Sequence, residues 1–124
     1  MDRIFTIAEA RDLLPEVIAH ADEFIAVRAD LIELRAALRW DEPSPLGGLP
    51  EAKALEARFD ELINWFPARD LELKGAAPLL LDFPSRIGGE DVLLCWLEGD
   101  RELAWYHKLE HGFAGRRRIP DDAS

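Results

Sequence analysis

The chain has 124 residues, which suits a single domain over residues 1–124 with a buried core. Its formal charge of −10, from 15 Lys and Arg against 25 Asp and Glu, disfavours general binding to nucleic acid or to membranes, because phosphate backbones and anionic lipids repel it. The single cysteine excludes an intrachain disulfide and a zinc site built on a Cys pair, and the lack of a signal-like leader or a long apolar run favours a cytoplasmic protein.

The first predicted element is a long helix from Thr6 to about Arg39. The sequence "TIAE" is typical of a capping box, in which the Thr6 hydroxyl and the Glu9 carboxylate each accept a backbone N–H from the other residue. Apolar residues then recur every seven positions, as on a coiled-coil-like helical face; they are Val17, Phe24, Leu31 and Leu38, flanked by Ile18, Ile25 and Ile32. Pro15 lies inside this pattern and removes one backbone hydrogen bond.

A loop and a second helix follow. "DEPSPLGGLP" contains three prolines and two glycines, which predicts a break. Beyond it, apolar residues spaced by three and four predict a helix that ends at Pro67; they are Ala52, Leu55, Phe59, Leu62 and Phe66. Together the helices predict an antiparallel hairpin over residues 6–66.

The two helices differ in predicted length, at ~50 Å and ~24 Å. The shorter helix therefore covers only the C-terminal half of the longer one. The remaining apolar stripe, including Leu14 and Val17, requires cover from the rest of the chain, from a second subunit or from both. We expect a homodimer through the long helix.

Residues 71–108 change to a period of two, which predicts an antiparallel meander of three or four strands. The predicted strands are Leu71–Lys74, Leu79–Phe83, Asp91–Leu97 and Glu102–Lys108. The expected fold is α+β: a long coiled-coil-like helical hairpin packed on this small sheet, followed by a turn and tail at 109–124.

The register of the last two strands follows from a tight turn at Gly99-Asp100. This turn would pair Glu98 with Arg101, and Asp91 with Lys108 at the other end. It would also place Leu103, Trp105 and His107 on one core face together with Val92, Leu94 and Trp96.

The string "HKLEH", His107–His111, matches the H-x-x-E-H pattern of one class of zinc peptidase. That site needs both histidines on one helical face, whereas here the string follows a strand and Gly112 interrupts any helix. A looser metal site formed by His107, Glu110 and His111 with Asp82 requires the second strand to lie beside the last. The simpler interpretation is a half-buried His107 bonded to the backbone, and an exposed His111.

Cys95 and the cluster Arg116–Arg118 are two further candidates for a functional role. Cys95 lies in the middle of an apolar strand, which indicates a core residue and no catalytic thiolate. The cluster Arg116–Arg118 either offsets nearby acidic groups or forms an anion pocket around Arg116, since guanidinium groups bind carboxylates in pairs of hydrogen bonds. An internal salt bridge between Asp82 and Arg116 is the structural alternative.

The chain resembles the bacterial family called domain of unknown function 2203 over nearly its whole length. The matching segments are "FTIAEARDLLP" at the start, Asp82-Phe83-Pro84, Leu94-Cys95-Trp96, Gly99-Asp100, Tyr106-His107 and Gly112-Phe113-Ala114-Gly115-Arg116. Asp100 and Tyr106 stand where the family has Glu and Trp. The resemblance implies no known activity, but it marks Asp82, His107 and Arg116 as matching polar positions and leaves out His111.

Two functional hypotheses follow. With no complete catalytic set and no expected cofactor, the first is a non-enzymatic interaction or accessory module. The alternative is a protein, enzymatic or not, that binds a small anion, another small ligand or a metal through Asp82, His107, Glu110 and Arg116 at the end of the sheet.

Overall fold

The computed structural model describes residues 3–124. They form two compact units, one comprising the residues up to Ile18 together with Phe66–Ser124, the other comprising Ala19–Trp65. The elements in chain order are α1 (Ile7–Arg39), α2 (Leu49–Ala68), β1 (Glu72–Ala76), β2 (Leu79–Ile87), β3 (Glu90–Leu97), β4 (Trp105–Lys108), a 3₁₀ turn at Phe113–Gly115 and β5 (Arg117–Arg118). In this part of the chain, neither helix has the length and apolar character needed to cross a membrane.

The unit Ala19–Trp65 lies within the helical hairpin predicted over residues 6–66. The rings of His20 and Trp65 stack with centroids 3.8 Å apart, and the Arg58 Nε donates to the Glu23 carboxylate at 2.8 Å. The buried residues between the helices include Phe24, Leu31, Leu34, Ala52 and Leu62. At the far end of α1, Leu38 is 40% exposed, so the heptad pattern overestimates the buried face there.

Helix α1 begins at the predicted capping box. The Thr6 N–H donates to the Glu9 carboxylate at 2.8 Å, and the Glu9 N–H donates to the Thr6 hydroxyl at 3.0 Å. The hydrogen bond from the Thr6 backbone lowers the pKa of Glu9, because it favours the ionised carboxylate. The helix continues through Pro15, whose missing N–H leaves the Arg11 carbonyl without its regular donor. Helix α2 likewise includes Pro67 and ends at Ala68, one residue beyond the predicted stop.

The sheet has five antiparallel strands in the order β1-β2-β3-β4-β5, which confirms the α+β class but corrects the expected three or four strands. The additional strand, β5, has two residues and pairs with β4, too short to leave a period-two signal in the sequence. The turn at Ile87–Glu90 joins β2 to β3, and its Gly88 and Gly89 adopt the positive φ angles of 58° and 79° that a two-residue hairpin turn favours.

The apolar stripe on the first turns of α1 is buried within the unit that contains the sheet. Its members are Ile7, Ala10, Leu14 and Val17, each at most 6% exposed. Just before the helix, Phe5 bridges β2: its N–H donates to the Pro84 carbonyl at 2.7 Å, and its carbonyl accepts from the Ser85 hydroxyl at 2.7 Å. This part of the helix is therefore covered within the chain itself.

The predicted register of β3 with β4 is wrong by one residue. Lys108 lies opposite Val92, and His107 lies opposite Leu93. Because side chains alternate between faces, this shift moves Trp105 and His107 to the face that carries Cys95 and Leu93, opposite to Leu94 and Trp96.

The connection between β3 and β4 explains the error. The Asp100 carboxylate accepts from the Leu97 N–H at 3.0 Å, and the Asp100 carbonyl accepts from the Trp96 indole at 3.0 Å. These bonds hold residues 98–104 as a longer loop. Glu98 consequently bonds the Leu79 N–H at 2.8 Å and is not paired with Arg101.

The predicted charge pair at the other end of the hairpin is also replaced. Asp91 lies opposite Arg86 on β2 and accepts from its Nε at 2.7 Å. The Lys108 ammonium instead lies 3.7 Å from the Glu90 carboxylate.

Candidate ligand-binding site

Two polar side chains meet on the face of the sheet that carries Cys95. Asp82 on β2 lies opposite Cys95, and His107 on β4 lies opposite Leu93, so both project from the same side. The His107 Nε2 and the Asp82 Oδ2 are 3.1 Å apart. With exposures of 2% for Asp82 and 5% for His107, this is a buried hydrogen-bonded pair.

The second ring nitrogen of His107 determines the protonation pattern of the pair. Nδ1 lies 2.9 Å from the Lys108 carbonyl oxygen, which only accepts hydrogen bonds, so Nδ1 carries a proton. In a neutral ring Nε2 is then an acceptor. Its bond to Asp82 Oδ2 requires one further proton between them, carried by either the carboxyl or the imidazole.

The other carboxyl oxygen of Asp82, Oδ1, is buried and has no hydrogen-bond partner among the described residues. Burial raises the pKa of Asp82, against the smaller opposing effects of His107 and Lys74. A buried acceptor without a donor costs about 1–3 kcal/mol, so Oδ1 is a destabilising feature of the fold.

Cys95 is the nearest neighbour of Asp82 on β3. Burial, with a smaller contribution from the Asp82 carboxyl, raises the pKa of its thiol from 9.0 to about 12, while Arg116 opposes the shift. The side chain is 1% exposed. A thiol is at best a weak donor, so Cys95 does not replace a strong hydrogen bond at Asp82. The predicted core role suits this environment.

A cavity of about 360 Å³ opens beside the pair. Its lining combines polar with apolar side chains: Lys74, Leu80, Asp82, Leu93, His107, Leu109, Glu110, His111, Gly112 and Phe113. The cavity therefore brings together three of the four candidate ligand-binding residues, Asp82, His107 and Glu110. His111, the weaker metal candidate, also lines it and is exposed.

Lys74 is a lining residue that the sequence reasoning did not single out. Its ammonium lies 2.9 Å from the Glu72 carboxylate, and this hydrogen bond raises the pKa of Lys74. Glu72 lies opposite Asp82 in the sheet. The acidic and basic residues two positions apart in "ELK", Glu72 and Lys74, were the signal for this residue in the sequence. Only the pairing of β1 with β2 brings these two residues close to Asp82.

Arg116 lies outside the lining of this cavity. Its guanidinium group stacks between two aromatic rings, 4.3 Å from the Phe113 centroid and 4.8 Å from the Trp105 centroid. Asp82 is hydrogen-bonded to His107, and no Asp82–Arg116 salt bridge occurs within residues 3–124. Arg116 therefore fastens the C-terminal turn to β4.

A family model described as Uncharacterized conserved protein (DUF2203) matches residues 3–119. The chain belongs to this family. No curated protein and no solved structure matches the chain. The three polar positions marked by the sequence resemblance contribute a buried pair, Asp82 with His107, and an arginine, Arg116, that stacks between two aromatic rings.

The metal interpretation of this DUF2203 site required β2 to lie beside β4. Strand β3 lies between them, yet the Asp82 and His107 side chains still meet across it. Across residues 3–124, no three His, Cys, Asp or Glu side chains are grouped so that they could hold a metal ion. His107 is also more buried than the half-buried histidine of the simpler interpretation.

Proposed function

We propose that this protein binds a small molecule that places a hydrogen-bond donor against Asp82 in the cavity beside the Asp82–His107 pair. The observation that carries the proposal is the Oδ1 atom of Asp82, a buried acceptor without a partner among the described residues of the chain. A ligand N–H or O–H at this atom would remove a cost of about 1–3 kcal/mol.

The proton arrangement supports a donor at this point. The proton shared with His107 lies on the Oδ2 side, so Oδ1 accepts whether Asp82 or His107 carries it. The leucines and Phe113 of the lining favour an apolar body, and Glu110 adds a second carboxylate. Lys74 is engaged by Glu72. We therefore infer that a primary amine on an apolar group fits better than the anion considered from sequence.

The states of His107 and Cys95 favour a binding protein over an enzyme. Both ring nitrogens of His107 are engaged, which leaves neither as a base for a bound molecule. The pKa of about 12 keeps the Cys95 thiol protonated. We infer a non-enzymatic protein, and the cytoplasmic location expected from its single cysteine stays a prediction.

The test is titration with three probes that share a phenyl ring and differ in the polar group: 2-phenylethylamine, 2-phenylethanol and 3-phenylpropionate. Binding is followed by amide chemical shifts in NMR spectra. Asp82→Asn keeps an acceptor and removes the charge, while Asp82→Leu removes both. Asp91→Asn is the matched control, since Asp91 is exposed and paired with Arg86.

We expect the amine to bind best and to shift amides of β2–β4 around the cavity. Asp82→Asn should weaken the amine about tenfold and Asp82→Leu about a hundredfold, as for loss of a charge-assisted bond. Asp91→Asn should bind like the unmodified chain. Equal affinity for all three probes, or an unchanged affinity in Asp82→Leu, would refute the proposal.

A second candidate is self-association, as expected from sequence, because the unit Ala19–Trp65 exposes large apolar side chains. They are Ile32 (61% exposed), Leu38 (40%), Trp40 (70%) and Leu49 (60%). Exposed apolar groups of this kind are typical of interfaces. Because Leu14 and Val17 are buried within the chain, we propose the C-terminal part of α1 as the contact.

Sedimentation equilibrium of the unmodified chain and of Ile32→Glu with Trp40→Glu tests this candidate. We expect a dimer that the double substitution converts to a monomer. Leu109→Glu is the matched control, because Leu109 is 57% exposed but belongs to the other unit. A monomeric unmodified chain at the highest soluble concentration would exclude the dimer.

A further inference from the structure

A second cavity, of about 460 Å³, lies between the first turns of α1 and the loop that joins β3 to β4. Four of its residues, Arg11, Leu14, Pro15 and Ile18, follow the spacing of one helical face, and the loop contributes residues 101–103. All of these residues belong to the unit that contains the sheet. The cavity is separate from the one beside Asp82, with which it shares no residue.

One guanidinium group of this cavity is held in place by the backbone. Arg11 donates from Nε and Nη2 to the Leu103 carbonyl oxygen at 3.3 and 3.1 Å. A guanidinium has five N–H donors in a fixed plane, so three remain after these two bonds. Because the group is already oriented, a ligand would not bear the full entropic cost of ordering it.

A second guanidinium, that of Arg101, contributes to the same wall from the loop. Within residues 3–124, neither Arg11 nor Arg101 forms an ion pair with a carboxylate. Glu102 also lines the cavity. Two guanidinium groups and one carboxylate leave a single net positive charge, which matches a monoanion better than a polyphosphate.

The rest of the lining is apolar. Leu14 and Leu103 are 6% and 2% exposed, so their accessible parts form a floor below the charged rim. Pro15 and Ile18 add further hydrocarbon surface. A charged rim above an apolar floor is complementary to a molecule with a carboxylate at one end and a hydrocarbon body at the other.

We propose that this cavity binds a small monocarboxylate with an apolar body, such as a medium-chain alkanoate. Its carboxylate lies between Arg11 and Arg101, and its chain lies along Leu14, Ile18 and Leu103. The proposal is independent of the ligand proposed beside Asp82, because the two cavities differ in residues and in charge.

The experiment is titration of the full chain with octanoate, 1-octanol and octylamine, followed by NMR amide shifts and calorimetry. The informative variant is Arg101→Gln, because Arg101 is an exposed loop residue and the substitution leaves the Arg11–Leu103 contact intact. Arg117→Gln is the matched control, an exposed arginine on β5. Asp82→Asn separates this site from the other one.

We expect octanoate to shift amides near Ile18 and Leu103 and to bind at least tenfold more tightly than octanol or octylamine. Arg101→Gln should weaken octanoate about tenfold, while Arg117→Gln and Asp82→Asn leave it unchanged. The proposal would be overturned if octanol bound as tightly as octanoate, or if both arginine variants lost affinity for octanoate equally. It would also be overturned if 10 mM octanoate, a concentration roughly that of a weak small-ligand Kd, shifted no amides near Ile18.

Discussion

At the scale of single residues, His107 connects strands on the face of the sheet that carries Cys95. Its two nitrogens connect the Lys108 backbone to Asp82, so one imidazole links β4 to β2 across the intervening strand. The polar pair is tolerated at this depth because His107 Nε2 and Asp82 Oδ2 satisfy each other, and removing one residue leaves the facing atom of the other buried without that bond.

This mutual dependence predicts the outcome of a double-mutant cycle. Asp82→Leu and His107→Leu should each lower the free energy of unfolding by about 2–4 kcal/mol, and the double variant should lose less than their sum, with a coupling of about 1–3 kcal/mol. Urea denaturation measures all four proteins. The exposed pair Arg86–Asp91 is the control and should show a coupling below about 1 kcal/mol. Additive losses at Asp82 and His107 would contradict the pairing.

Cys95 gives a second prediction at this scale. Its folded pKa of about 12 lies above its ordinary value of 9.0, so the folded protein retains the thiol proton over that interval. The contribution of the protonated thiol to the free energy of unfolding is therefore fully present below pH 9. It falls as the pH rises towards 12, by at most about 1.4 kcal/mol per pH unit. Denaturation from pH 8 to 10.5 should show a steeper loss in the unmodified chain than in Cys95→Ala.

Alkylation by iodoacetamide provides an independent readout of Cys95. At pH 8 the native thiol should be protected and should react only after unfolding in urea. Rapid labelling of the native protein, or equal pH slopes with and without the thiol, would be incompatible with the buried environment described here.

At the scale of elements, local hydrogen bonds determine where α1 starts. The reciprocal bonds of Thr6 and Glu9 satisfy two backbone donors at the helix N-terminus that would otherwise lack partners. The β3–β4 connection depends on a side chain in the same way, since Asp100 accepts the Leu97 N–H and extends the loop.

Substitution of the cap tests the first of these contributions. Thr6→Ala should lower the free energy of unfolding by about 1 kcal/mol at pH 7. The lowered pKa of Glu9 means that its stabilisation is present above pH 4.5 and is lost as the pH falls through the folded pKa. The Thr6 hydroxyl also contributes to the lowered pKa of Glu9, so the cost of Thr6→Ala should be smaller at pH 3. Asp12→Ala, one turn later on the exposed side of α1, is the control and should change stability little.

At the scale of the whole molecule, charge and aromatic stacking limit the role of the arginine cluster. The chain carries a net charge of −10. Two of the three clustered guanidinium groups, those of Arg116 and Arg118, lie 4.8 and 5.3 Å from the centroid of the Trp105 ring. Arginines used for stacking within the protein are poorly placed to contact phosphates.

We therefore expect no binding to nucleic acid. Fluorescence anisotropy of a labelled oligonucleotide should stay constant on addition of the protein at low salt, where an electrostatic contact is strongest. Arg117→Gln should make no difference. A salt-dependent rise in anisotropy that this substitution reduces would refute the expectation.

Much of the fold was accessible from sequence because its signals are local. The capping box, the extent of α1 and the break between the helices each depend on residues a few positions apart. The candidate site was predicted in part. Asp82, His107 and Glu110 line one cavity, whereas Lys74 was missed and Arg116 lies outside it, stacked between the rings of Trp105 and Phe113.

By itself, the sequence determined the element types and the family, because periodicity, caps and motifs can be recognised along the chain. Only the tertiary structure decided the strand order, the β3–β4 register and the meeting of Asp82 with His107. These features depend on pairing between residues distant in sequence, and one extra loop residue reverses the face of every side chain in β4. The orphan oxygen of Asp82 arises in the same way, since its environment exists only after three strands have assembled.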